Sequence, residues 1–175
     1  MKVPAAYTVV RAAPVRAAIR RDLVPALGPW LLAPRLVPPS GAEAVAAGRG
    51  GAYRTTLPGE LRVVVRPCRR GGVVARLARE TYLGWRPRPL RELVVTAEVR
   101  RRGVAAAEVL AARVEGGFAY RGALVTAEVA DATTLIDALR HAPDGAARGA
   151  LAGLAGRHIV EQDGGYELVA DLPGL

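Results

Sequence analysis

The sequence predicts an α+β protein: an antiparallel sheet of about five strands carrying one main helix, followed by a short helix and hairpin. Three observations point there. Residues 61–67 (LRVVVRP) form a β-branched run bounded by turn residues, the clearest strand in the chain. Residues 89–102 (PLRELVVTAEVRRR) place Leu90, Leu93, Val94 and Ala97 on one face at helical spacing. The segments EVLAARV and FAYRGALVTAEV flank Gly116-Gly117, which reads as a hairpin turn.

Taken in order, residues 6–11 (AYTVVR) predict a short strand, and residues 14–27 (PVRAAIRRDLVPAL) a helix that Pro25 ends or kinks. The Pro-rich stretch from Trp30 to Ser40 is an ordered connector. Two extended segments follow around the glycines Gly48, Gly50 and Gly51, and Pro58-Gly59 marks a turn before the Val-rich strand. Residues 73–83 read as one helical piece. The helix at 89–102 has Pro89 in its first turn, arginines where the macrodipole favours cations, and Gly103 as its C-cap. Helices are expected at 132–140 and 144–155, and the end folds into a hairpin turning at Asp163-Gly164. The expected division is an N-terminal extension (1–42), a lobe (43–140) and a C-terminal segment (141–175).

The chain has 175 residues and a formal charge of +9. Lys2 is the single lysine among 25 basic residues, Asn is absent, and Ser40 and Gln162 stand alone as Ser and Gln. An Arg, Ala, Gly and Pro excess of this kind follows from GC-rich coding, so part of the charge reflects codon usage. The arginines are spread along the chain without interleaved aromatics, which argues against nucleic acid as a partner. Cys68 is the only cysteine, excluding an intrachain disulfide and fitting a reducing compartment. No secretory signal is visible, and no run reaches the roughly 20 apolar residues of a membrane span.

Three features carry candidate chemistry. The turn Gly48-Arg49-Gly50-Gly51 lets backbone N–H groups approach phosphate oxygens closely; it also fits an ordinary glycine turn. Arg66 ends the Val63-Val64-Val65 strand as a phosphate-binding cation or a strand-end arginine in solvent. Glu92, near the start of the long helix, either pairs with Arg66 or serves a neighbour such as Arg88 or Arg91. His141 and His158 lack clustered partners, so no metal site is predicted. No nucleophile elbow, Walker loop or Rossmann fingerprint occurs.

The stretch VVVRPCRRGGVVARLARETYLGWRPRPLRELVVTAEVRRRGV resembles bacterial lipopolysaccharide core kinases, in particular the 3-deoxy-D-manno-octulosonic acid (Kdo) kinase family. The resemblance rests on Arg66, Arg69 to Gly72, Tyr82-Leu83 and Arg91-Glu92. It implies the small lobe of a protein-kinase-like fold, binding ATP and Mg²⁺ and serving phosphorylation of an inner-core sugar at the cytoplasmic face of the inner membrane. It further implies that Gly48, Gly50 and Gly51 cover the phosphates, that Arg66 binds them with Glu92 as partner, and that Thr126 to Ala130 is the adenine hinge, with Glu128 and Ala130 among its contacts. Nucleotide, lipopolysaccharide precursor or an anionic membrane surface are the implied partners. A homo-oligomer covering the lobe's open face is also expected.

One departure bears on activity. Such kinases need a catalytic-loop Asp followed by a metal-binding Asn, and this chain contains no Asn. Asp144 reads better as a helix N-cap. The expectation is therefore no catalytic residue and no transfer by this chain alone, with the C-terminal segment truncated or degenerate. The alternative is a non-catalytic, arginine-rich binding or regulatory module for anionic lipid or an acidic partner.

Overall fold

The Val-rich run at 61–67 forms a strand as its β-branched residues demand, and the rest of the sheet builds outward from it. The computed structural model describes residues 2–45, 51–69, 80–130, 140–156, 160–162 and 165–167. The strands are β1 (Tyr7–Ala12), β2 (Val15–Arg20), β3 (Glu43–Ala44), β4 (Tyr53–Leu57), β5 (Leu61–Pro67), β6 (Tyr82–Leu83), β7 (Val109–Gly116) and β8 (Ala119–Ala127), with helices α1 (Val24–Leu31) and α2 (Arg88–Arg101) between them. All eight strands share one antiparallel sheet, ordered β1-β2-β7-β8-β5-β4-β3, with β6 paired to β8. None of its described helices is long and apolar enough to cross a membrane.

The class is α+β, but the sheet is larger than the five strands expected. The difference lies mainly at the N-terminus. Residues 14–27 do not form one helix: Ala13-Pro14, joined by a cis bond, turns β1 back into β2, and the two strands pair from Tyr7↔Arg20 to Ala12↔Val15. A short apolar run such as VRAAIR satisfies both helical and extended periods. Its neighbours decide, because β2 also pairs with β7 through Val15↔Glu115 to Ile19↔Ala111. Pro25 starts α1 instead of ending a helix, as proline in a first turn can. The expected helix at 73–83 falls largely outside the described residues, and its last two, Tyr82 and Leu83, are strand.

Each face of the sheet carries one helix. On the first, Leu27 and Leu31 of α1 pack on Ile19, Tyr53, Val63 and Val65. On the second, Leu93 of α2 packs on Ala18, Val109, Ala112 and Leu124, flanked by Leu90, Val94 and Ala97, the stripe visible in the sequence. A bulge between Val109 and Ala111 interrupts the alternation, so that Leu110 and Ala111 both join the α1 side.

Residues Met1–Glu128 make one unit and Val129–Leu175 another. In the second unit, α3 (Gly145–Gly156) is capped by Asp144, whose Oδ1 accepts the Ala147 N–H at 2.7 Å. Strands β9 (Val160–Gln162) and β10 (Gly165–Glu167) form the terminal hairpin. The helix expected at 132–140 lies almost wholly outside the described residues.

Candidate functional site

Alternation along β5 sends Val63 and Val65 to the α1 side and Arg66 to the other, where α2 lies. The start of α2 is well fixed. Tyr120 of β8 accepts the Arg88 N–H through its hydroxyl at 2.9 Å, satisfying one of the helix's orphan donors. Pro89 is buried over Gly122, where a Cβ would collide with the proline Cγ. Glycine at 122 is thus required for close approach. Glu92 follows one turn later.

That geometry brings the two predicted side chains together. Arg66 Nη2 donates to Glu92 Oε2 at 2.7 Å, and Arg88 Nε donates to the other oxygen, Oε1, at 2.6 Å. Glu92 is thus shared between the strand arginine and its own helix neighbour, so both readings of this residue hold at once. The Arg66 side chain remains 58% exposed while that of Glu92 is 24% exposed. One end of the pair is held by the protein and the other is offered to solvent. Cys68 sits buried close by; burial, reinforced by Glu92 and opposed by Arg88 and Arg66, pushes its thiol up to about 11. At neutral pH it is an apolar wall, not a nucleophile.

The remaining predicted residues are placed as follows. Gly48 and Gly50 lie outside the described residues. Gly51 is in the left-handed region (φ +63°) and lies against Arg69, where a Cβ would stand 2.7 Å from Nη1. The side chain of Glu128 accepts Arg62 Nε at 2.8 Å and lies 3.5 Å from Arg54 Nη1. Its N–H donates to the Arg62 carbonyl at 3.0 Å, and that of Ala127 to Glu108 at 2.8 Å. Ala130 is exposed beyond the end of β8. Among the described residues no three His, Cys, Asp or Glu cluster in a way that could hold a metal ion.

A family model described as the lipopolysaccharide kinase (Kdo/WaaP) family matches residues 44–161, about two-thirds of the chain. The chain belongs to that family. No curated protein and no solved structure matches it. For a lipopolysaccharide kinase family member, the segment from β3 to β9 is the matched part, and Arg66, Cys68 and Glu92 all lie within it.

Sequence reasoning missed Arg113. This residue is only 2% exposed, yet it is a cation on β7. It donates to the carbonyls of Leu31, Ala33 (2.7 Å) and Pro34 (3.3 Å) and pairs with Glu115 at 2.8 Å. It ties the connector after α1 to the sheet. A signal was present: Arg113 interrupts the apolar run VLAARV, where a lone charge must find partners.

Proposed function

We propose that the Arg66–Glu92 pair is the phosphate-binding cation of a nucleotide site, in a lobe of an ATP-dependent lipopolysaccharide core sugar kinase. The observation that carries this reading is the 2.7 Å contact between a half-exposed guanidinium and a carboxylate anchored in α2. Arg66 spends one N–H on Glu92, and no other partner engages it among the described residues. Its remaining donors suit phosphate oxygens, which a guanidinium fork can bind in bidentate fashion. Glu92 holds the fork in place, and Arg88 in turn holds Glu92. Arginine stands where the resemblance implies a lysine, and its planar fork offers more donors than an ammonium.

In the kinase-like lobe reading, Thr126 to Ala130 is the adenine hinge. The N–H groups of Ala127 and Glu128 are already committed within the sheet. Within the unit that carries Arg66, contacts to a base would fall to the Glu128 carbonyl. The donor set suits the nucleotide's phosphates but not its Mg²⁺, since no Asn exists in the chain and no acidic cluster forms among the described residues. No transfer step is assigned to these residues, whose proposed role is to bind the nucleotide's phosphates.

The test is thermal unfolding with and without ATP, in the presence and absence of Mg²⁺. At a ligand concentration of 100 times Kd the folded state gains about 2.7 kcal/mol. Wild type shows the rise in Tm, and Arg66→Ala and Glu92→Ala lose it. An unmoved Tm in wild type, or a full shift retained by Arg66→Ala, defeats the reading.

A second reading, docking on an anionic membrane surface, is favoured by one observation. Trp85 is 81% exposed and packs at a tilt against the exposed Phe118, ring centroids 5.1 Å apart, with Leu83 exposed nearby in sequence and Arg86 adjacent. An amphipathic aromatic tip beside a cation suits a lipid headgroup layer. Co-sedimentation with phosphatidylglycerol vesicles that Trp85→Ser abolishes supports it; equal sedimentation of both proteins overturns it.

A further inference from the structure

The face of the sheet opposite Arg66 carries a cavity of about 360 Å³, a volume within the range of small-molecule sites. Alternation on β4, β5, β7 and β8 turns Tyr53, Pro67, Arg113, Glu115 and Arg121 into it, on the α1 side. Arg35 of the connector and Arg69 beyond β5 complete its cationic wall.

The charges do not balance. Four arginines face two acids, and both acids are paired: Glu80 with Arg69 at 3.3 Å and Glu115 with Arg113 at 2.8 Å. Arg35 and Arg121 have no carboxylate within ion-pair distance among the described residues. The hydrogen bonds do not balance either. The Tyr53 hydroxyl and Arg69 Nε are both buried, and neither has a partner among the described residues. Tyr53 as a whole is 8% exposed, and burial pushes its phenol up to about 12, so that it stays a proton donor. Every unmatched group is a donor or a positive charge. Buried donors are rarely left so, and an acceptor-rich anion would satisfy them.

We propose that this cavity is a second ligand site, built for the dianion of a small phosphate monoester. Two unmatched guanidinium groups equal the charge of such a dianion, and phosphate oxygens supply the acceptors that Tyr53 and Arg69 lack. The site is distinct from the Arg66–Glu92 pair: neither of those side chains lines it, although Cys68, close to the pair, does.

Titration of the full chain at constant ionic strength tests this, with inorganic phosphate and glycerol 3-phosphate as probes followed by calorimetry. Wild type binds at least one of the two. Tighter binding of glycerol 3-phosphate marks the ester as the ligand, and tighter binding of inorganic phosphate marks the free ion, either result retaining the phosphate chemistry. Arg121→Ala, an exposed strand position, weakens binding about tenfold. Tyr53→Phe weakens it by a smaller factor while leaving the fold intact, since it removes only an unpartnered hydroxyl. Arg66→Ala leaves binding unchanged even if it abolishes the response to ATP. Affinity falls as the phosphate gains a proton below about pH 6, whereas sulfate shows no such fall. The proposal is overturned if neither probe binds wild type, if Arg121→Ala and Tyr53→Phe both bind like wild type, or if Arg66→Ala removes the binding.

Discussion

The two faces of the sheet use the same residue type in opposite ways. On the α2 side, Arg66 keeps more than half its side chain in water and touches one carboxylate. On the α1 side, Arg113 is withdrawn from water and spends its fork on three backbone carbonyls and Glu115. The first arrangement leaves donors for something that is not protein; the second consumes them to hold the chain together. In a protein with 24 arginines and one lysine, identity alone cannot separate these roles. Burial and the identity of the acceptor can.

Substitution should expose that contrast most strongly at Arg113. Arg113→Ala leaves Glu115 unpaired and buried carbonyls unmet, and is expected to cost about 3–5 kcal/mol, read as a lower denaturation midpoint. If the change is as mild as at an exposed arginine, the clamp is not structural. Leu93→Ala, which empties the centre of the α2 contact, should cost about 2–4 kcal/mol. Gly122→Ala drives a methyl group towards Pro89 and the Arg113 carbonyl, and about 1–3 kcal/mol is expected from displacing the start of α2. Because that shift moves Glu92, it should also weaken any ATP response, linking packing on one side to chemistry on the other.

Smaller effects sharpen the same comparison. The Cys68 thiol has its pKa raised from the ordinary value of 9.0 to about 11. The folded state therefore holds that proton more tightly than the unfolded chain, so the stability it contributes is present below pH 9 and is lost as pH rises towards about 11. Urea melts across that window should show the alkaline loss in wild type and a flatter profile in Cys68→Ala. Arg66→Ala should change stability by no more than about 0.5 kcal/mol, as for exposed ion pairs generally, while removing the ATP-dependent rise in Tm. Loss of stability comparable to that at Arg113 would recast Arg66 as structural.

Much of this was legible in the residues. The β5 run, the β7–β8 hairpin and the α2 stripe announce themselves because each repeats one period without conflict, and the Arg66–Glu92 pairing follows once β5 and α2 are in place. The N-terminal hairpin was not legible, since VRAAIR carries both periods and only its pairing with β7 selects the extended form. The size of the sheet was misjudged for that reason. Arg113 was hidden because its partners are carbonyls of a connector some 80 positions away, and backbone acceptors leave no mark in a sequence.

The hairpin at the start of the chain finishes the sheet in a way that reaches beyond its own residues. Tyr7 donates its hydroxyl to the Val109 carbonyl at 2.6 Å, stitching the hairpin down over the bulge of β7. The family-matched stretch begins only at residue 44. A protein trimmed to that stretch would lose the whole of β1 and β2 and bare one side of β7, a row of unmet amides and carbonyls running from Ala111 to Glu115. Such a border recruits further strands from its own kind, and β7, buried along most of its length, is a more apolar edge than the largely exposed β1 that borders the longer chain, so the minimal family unit would be the more drawn towards clumping.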